Sequence, residues 1–485
     1  MDLLNDILKQ VVEEFLNMVG SFPVEFGDIR ALELDNEWVW VRDERVEKVQ
    51  RSSEKGFGIR VLVDGKWGFS SSFVLSPDEV KKCLREAYEI ARYSRKVDKT
   101  KISIAPEPPH KASFKTPVKI NPFDVPLERK VSLLMDINRI LKSASLIQRA
   151  DAHLRFRRRH QWYGSTEGSL IETDIITSSA RYTAWAVDKG DIEFRSFPED
   201  AGNAGWEFIE ELKLVENAER VREEAIEKLR APLPEEGEME LILDPHNLCL
   251  TIHESVGHAT ELDRVLGYEA NFAGTSFLKP EMRGSFKYGS EWVNFVADNT
   301  MEGGLATTGF DDEGVECQRW YIVKEGVFLD FSSSREAAGM LGEERSKGSG
   351  RAMSFYSFPI NRIPNLFLEP GREDVTPEDL IADTKHGILI EGMGSFSIDQ
   401  RRLNFQFGGD AFYEIRNGKK IRMLRKVLYQ SITPEFWGSV VGLTGKRHWR
   451  MYGIMGCGKG EPMQTAQMSH GAPWVKFKKI RILRG

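Results

Sequence analysis

Ile7, Leu8, Val11, Val12, Phe15, Leu16 and Val19, preceded by Leu3 and Leu4, recur at helical spacing, and Gly20 stands where a C-cap belongs. The chain is therefore expected to open on an amphipathic helix. Three apolar-polar runs follow, around 24–34, 37–50 and 57–63, and read as strands. Asp64-Gly65, ahead of Lys66-Trp67-Gly68-Phe69, has the residues of a tight hairpin turn. Ser76-Pro77-Asp78-Glu79 offers a capping serine, a first-turn proline and a glutamate that can close a capping box. That start predicts a helix to about Arg95, and an antiparallel sheet flanked by helices.

Residues 96–126 hold Pro106, Pro108, Pro109, Pro117, Pro122 and Pro126 among lysines, and read as an extended connector. A helix near 127–144 leads into strands around 146–187, with turns near Gly164–Gly168 and Lys189-Gly190. A long charged helix at about 204–231 ends at Pro232 and Pro234. The main boundary is placed at Pro232–Glu238, separating an N-terminal α/β region, 1–235, from a C-terminal region, 236–485. There Met239–Leu243 alternates as a strand, Asp244-Pro245 breaks it, and a helical stretch follows. Further strands are expected near 315–323, 326–332, 365–368, 387–391, 402–407, 411–416, 420–429 and 474–483. The expected class is α+β, with the C-terminal half mostly antiparallel and β-rich.

Composition acts by exclusion. At 485 residues the chain exceeds one compact core, so two or three domains are expected. With 67 basic against 74 acidic side chains the net charge is -7, which argues against a dedicated nucleic-acid binder. No stretch approaches the roughly 20 apolar residues of a membrane span. The start, Met1-Asp2 followed by Asp6, Lys9, Glu13 and Glu14, does not have the form of a signal peptide. Cys83, Cys249, Cys317 and Cys457 are too few and too scattered to staple a secreted fold, so a reducing cytoplasm is expected.

Candidate chemistry concentrates in His253-Glu254-Ser255-Val256-Gly257-His258. Two histidines flanking a glutamate on a helix suggest a zinc hydrolase: the imidazoles bind metal and the carboxylate takes a proton from the attacking water. The familiar spacing is i and i+4, which stacks both rings on one face. Here it is i and i+5, and about 100° per residue leaves the rings roughly 140° apart on a regular helix. Convergence requires either a π-type bulge or a loosening at Gly257. A hydrolytic zinc takes three protein ligands and a water. Glu261 and Asp263 follow closely, and Cys457 sits among glycines in Gly456-Cys457-Gly458-Lys459-Gly460. Spacing does not choose between them.

The segment His253–Asp263 resembles the signature of the TldD/PmbA family, also called modulators of DNA gyrase, in its TldD branch. Gly56–Phe69, Gly309–Gln318, Arg362–Asn365 and Cys457–Gly460 also match, so the resemblance spans essentially the whole chain. It implies a C-terminal, barrel-like metallopeptidase region and a Zn2+ site of two histidines and a cysteine. Those fall here on His253, His258 and Cys457, with Glu254 as general base. It further implies unfolded or partly unfolded peptides as substrates. The implied assembly is a dimer, either of identical chains or with a TldE/PmbA-like subunit. Thr260, Leu262 and the C-terminal run Gly460–Pro473 depart from the usual pattern, which bears on substrate and partner more than on zinc.

The remaining features have plainer readings. Glu261 and Asp263 either orient a ligand histidine or are helix-surface charge. His470 is a structural or ligand-orienting histidine, or a substrate contact. Asp311-Asp312-Glu313-Gly314 reads as a turn of solvated acids, with cation binding or a place in the cleft as alternatives. Arg155–His160 reads as a strand with one wet face, and a DNA-binding modulator using it is the alternative the acidic total disfavours. The rival to a peptidase is a non-catalytic peptide-binding or regulatory partner, its structural metal closed by a fourth ligand such as Asp263.

Overall fold

The computed structural model describes residues 2–97, 99–372 and 374–485, with side chains from Asn5 onward. The side chains of Leu3 and Leu4 lie outside the described residues. Helix α1 (Asp2–Val19) precedes strands β1 (Phe26–Arg42), β2 (Arg45–Val63) and β3 (Lys66–Ser72) and helix α2 (Pro77–Ser94). The Ser76 hydroxyl accepts the Glu79 N–H at 3.4 Å, capping α2. After β4 (Lys111–Lys115) come α3 (Leu127–Lys142), the long strands β5 (Ile147–Ser165), β6 (Leu170–Asp188) and β7 (Asp191–Gly202), then α4 (Trp206–Glu211) and α5 (Leu214–Arg230). The sheet order is β3-β2-β1-β5-β6-β4, with β7 also on β6, and only β4 runs parallel to its neighbour. Leu8, Val12 and Phe15 of α1 share a core with Ile29, Ile59 and Leu84. A second core joins α3 and α5 to β5 and β6 through Ile137, Val221 and Leu154.

Three expectations need correction here. The runs 24–34 and 37–50 are not separate strands: β1 continues through Asp35-Asn36, and the turn falls at Asp43-Glu44, both left-handed. Polar residues at 35–37 mimic a turn, yet they are paired on both sides, with β2 and with β5. The helix expected over 204–231 breaks at Lys213, whose φ is 50°. The proline-rich connector is partly ordered structure, because β4 adds to the edge of the sheet along β6.

From β8 (Gly237–Leu243) the chain enters helix α6 (Pro245–Ile252), capped by the Asp244 carboxylate on the Asn247 N–H at 2.8 Å. Strands β9 (Phe295–Asp298), β10 (Arg319–Lys324) and β11 (Val327–Phe328) follow, then the two-residue pair β12 (Gly350–Arg351) and β13 (Ile360–Asn361), and β14 (Leu366–Leu368). The last are β15 (His386–Ile398), β16 (Asn404–Arg416), β17 (Lys419–Leu424), β18 (Val427–Ile432), β19 (Val440–Leu443), β20 (Arg450–Lys459), β21 (Gln464–Ala472) and β22 (Val475–Arg484). The runs 402–407 and 411–416 are thus one strand, whereas 420–429 is divided at Lys426, with φ 54°.

Strands β15, β8, β22, β18 and β16 form a closed five-stranded barrel, because β16 pairs back onto β15. Closure removes the sheet edge. Leu241, Ile390, Phe407, Tyr429 and Phe477 belong to one core that also takes in Leu248, Ile252 and Val256 of the functional helix. A second sheet, in the order β11-β10-β9-β14-β21-β20, lies beside it. Its β20–β21 hairpin was not expected from the sequence. Gly453, Gly456 and Gly458 dilute the alternation, and the register shifts between Ile454 and Cys457.

Candidate metal centre

The helix begun by α6 changes its winding at the histidines. Residues His253–Gly257 form a π-turn, and the His258 N–H bonds to the His253 carbonyl five residues back. Of the two routes to convergence, the chain takes the inserted residue. Gly257 itself has ordinary helical angles, φ -55° and ψ -63°. Its contribution is space: a Cβ there would lie 2.9 Å from Ile363 Cδ1. Wide winding leaves carbonyls to satisfy, and side chains do so. Tyr288 donates its hydroxyl to the Ser255 carbonyl at 2.5 Å, and Thr260 donates to Val256 at 2.8 Å. Thr260, a departure from the family pattern, thereby has a structural use.

His253, His258 and Cys457 each offer a ligand atom, and these atoms lie within 4.8 Å of one another. All three residues are buried, at 4–5% exposure. The outer hydrogen bonds assign the ring tautomers. His470 Nδ1–H donates to the Leu366 carbonyl at 3.3 Å, so its Nε2 accepts from His253 Nδ1–H at 2.8 Å. His258 Nδ1–H donates to Glu261 Oε2 at 2.7 Å. Each candidate ligand ring therefore keeps its Nε2 lone pair for a metal, and His258 Nε2 sits 3.5 Å from Cys457 Sγ. Burial pushes His253 below the ordinary imidazole value, which keeps its ring neutral. Burial raises the Cys457 thiol, but His258 and Arg362 outweigh it and bring the net below the usual thiol value. Two imidazoles that each aim Nε2 inward and an acidified thiol are a donor set that suits zinc.

Asp263 stands apart from that trio. Its Oδ1 lies 2.6 Å from Lys459 Nζ, which also sits 3.1 Å from Glu261 Oε1 and donates to the Asn361 carbonyl at 2.8 Å. The Glu261 contact is an ion pair without hydrogen-bond alignment, as that oxygen has no hydrogen-bond partner. Burial opposes the Glu261 charge, yet Lys459, His258 and Arg264 hold it well below the usual carboxylate range. Asp263 is raised instead, because burial and the Glu261 charge outweigh the same lysine. A fourth-ligand role for Asp263 would require breaking this pair. His470 is fully buried behind His253, which does not suit a substrate contact.

Glu254 is 6% exposed and its Oε2 accepts from Arg402 Nη1 at 2.9 Å. Arg402 has a left-handed backbone, φ 61°, and was not singled out in the sequence. Lys459 stands in the sequence only as one residue of the glycine-rich stretch Gly456–Gly460. A single arginine or lysine carries no spacing signal for a partner 148 or 196 residues away.

The acidic turn proves to be interior, and the half-buried basic run is tied to it. Asp311 accepts the backbone N–H groups of Glu313, Val315 and Gly350, and Glu313 pairs with Arg60 at 2.9 Å. Arg159 bonds Asp312 at 2.8 Å. These acids fasten the first sheet to the C-terminal region rather than forming a solvated turn. Strand β5 lies between β1 and β6, and the run's four arginines are half-buried, with Arg158 paired to Asp174 and Arg159 to Asp312.

The sequence matches the profile of the PmbA/TldA metallopeptidase C-terminal domain over residues 236–484, with domain 1 over 27–91 and the central domain over 120–233. A protein of Methanocaldococcus jannaschii named as a metalloprotease is 30% identical over 406 residues, 83% of this chain and 85% of its own. A zinc metalloprotease TldD homolog of Saccharolobus solfataricus is 22% identical, covering 97% of this chain and 99% of that protein. In fold, the chain is similar to a crystal structure from Thermotoga maritima named for a proposed role as a modulator of a DNA gyrase. The TM-score is 0.78 at 16% identity, over 98% of this chain and 99% of that one. TldE from Thermococcus kodakarensis superposes with a TM-score of 0.73 at 17% identity, over 97% and 99%. No described helix is long and apolar enough to cross a membrane. The chain belongs to the TldD/PmbA metallopeptidase family.

Proposed function

We propose that this protein is a zinc-dependent peptidase acting on unfolded or partly unfolded peptides, with His253, His258 and Cys457 as metal ligands and Glu254 as general base. The observation that carries the reading is the π-turn, which brings two histidines at i and i+5 together beside a cysteine 199 residues downstream. Zinc held by these three residues would supply Lewis acidity and lower the pKa of a water molecule to about 7. Glu254 keeps Oε1 to accept a proton from the attacking water and pass it to the leaving amine, while Arg402 holds Oε2. His470 and Glu261 fix the ligand rings, a task usually worth about 10–100-fold in metal affinity. The proposed compartment is the cytoplasm, where the four free thiols stay reduced. The proposed assembly is a homodimer or a heterodimer with a TldE-like subunit, and direct nucleic-acid contact has no part in it.

The Glu254–Arg402 pair also gives support to the rival reading, a non-catalytic peptide-binding or regulatory subunit, since it occupies one oxygen of the base. One experiment separates the two. Zinc content and cleavage of an unfolded peptide are measured for the wild type and for Glu254→Gln. The peptidase reading expects chelator-sensitive cleavage by the wild type, and a variant that retains zinc but loses activity. Full activity in Glu254→Gln would sink the assignment of the base, and an inert, zinc-loaded wild type would favour the rival.

A further inference from the structure

The metal centre leaves the basic run on β5 unused. Alternation sends Arg158 to one face, where it forks onto Asp174 with two contacts of 2.8 Å. Arg157 and Arg159 face the other way. With Arg351 and with Thr465, Ala466 and Gln467 of β21, they line a cavity of about 50 Å³. A single water needs roughly 10–15 Å³ of such space, so a carboxylate group fits.

The charges around this cavity do not balance. Arg159 is matched by Asp312, which also accepts from Gln161 at 3.1 Å and from the Ala352 N–H at 2.8 Å. Among the described residues, Arg157 and Arg351 bond only carbonyls: Met353 for the first, Gln467 and Ile363 for the second. The Nε atoms of Arg157 and Arg159 are buried without a hydrogen-bond partner. Glu54 is the other nearby acid, and it accepts the Ser354 hydroxyl at 2.6 Å. Burial pushes Arg157 and Arg351 down to about 10, the expected effect on cations withdrawn from water without matching counter-charge.

The cavity also has an informative address. Ala466, on its wall, is the cross-strand partner of Cys457, and directly opposed residues project from the same face of a sheet. A planar guanidinium fork matches a carboxylate in two bonds at once, which no single lysine does. We propose that Arg157, Arg159 and Arg351 form a recognition pocket for a carboxylate of the peptide substrate, either its C-terminus or an Asp or Glu side chain. This rests on the peptidase reading and adds a substrate class to it: peptides that present an acid near the bond to be cut.

The test uses binding rather than turnover. One labelled, unstructured peptide is prepared as the free acid, as the C-terminal amide, and as an amide with one internal aspartate. Fluorescence anisotropy gives each affinity for the zinc-loaded Glu254→Gln protein. At least one acid-bearing form should bind tenfold or more tightly than the plain amide, and which one does so identifies the source of the carboxylate. Arg351→Gln and Arg157→Gln should each cut that preference, read as the ratio of acid to amide affinity, to threefold or less. Arg351→Lys should restore only part of it, since charge returns without the fork. Equal affinities for the three peptides, or no binding, would overturn the pocket even if the wild type cleaves peptides. A clear acid preference with no cleavage by the wild type would instead refute the peptidase reading and leave the pocket standing.

Discussion

Lys459→Met is the sharpest probe of how the centre is held together. The lysine is 0% exposed and its ammonium touches Glu261 at 3.1 Å and Asp263 at 2.6 Å. Methionine keeps the length of the stem and removes the charge. Breaking a buried ion pair from one side usually costs about 3–5 kcal/mol. A stranded carboxylate can escape by taking up a proton, however, and for one glutamate at pH 7 that costs roughly 3–4 kcal/mol. Asp263, already raised by burial, protonates more cheaply, and Glu261 retains Arg264 at 3.4 Å. The expected loss is therefore about 3 kcal/mol, read from urea unfolding of the metal-free protein at pH 7. The pH dependence has a definite sign. Glu261 lies below its unfolded value in the native chain, so its contribution is present above about pH 4.5 and fades as pH falls through the folded value. The gap between wild type and variant should accordingly be widest near neutrality and close in acid. Zinc affinity, from competition with a chromogenic chelator, should fall about tenfold or more as the anchor of His258 loosens. A variant within about 0.5 kcal/mol of the wild type, with unchanged zinc affinity, would refute this account of the cluster.

Other parts of the centre yield separate expectations. His470→Leu leaves the His253 Nδ1–H without its acceptor and should weaken zinc binding by about 10–100-fold, whereas His470→Gln should restore much of it through the amide oxygen. Gly257→Ala drives a methyl against Ile363 and should destabilise by about 1–3 kcal/mol in thermal unfolding; adding Ile363→Val, which removes Cδ1, should recover part of the loss. His246 is 6% exposed, and burial pushes it down to about 3. Its folded value lies below the unfolded one, so the native state loses about 2 kcal/mol between pH 7 and pH 5 as the unfolded ring protonates. His246→Gln, which keeps an acceptor for the Met393 N–H, should flatten that slope in unfolding titrations. An unchanged slope would show that His246 is not the group responsible.

The sequence alone determined which elements are local. The capped helix from Ser76, the hairpin at Asp64-Gly65 and the β-rich second half follow from short-range patterns that each segment carries within itself. The i, i+5 histidines likewise demand a distortion on spacing alone, because five residues do not return a regular helix to the same face. Tertiary structure decided the rest. Whether a π-turn or a loosened glycine supplied the distortion depended on Tyr288, Thr260 and Ile363 being present to satisfy or shape the widened turn. The β20–β21 hairpin was hidden by its glycines, and with it the setting of Cys457, Lys459 and His470. The acids at 311–313 and the arginines at 155–159 looked like solvent-facing charge, since charge opposite charge across 150 residues leaves no periodicity. Spacing reports on neighbours along a helix or strand, while a buried ion pair or a metal centre is set by which strands the fold lays side by side.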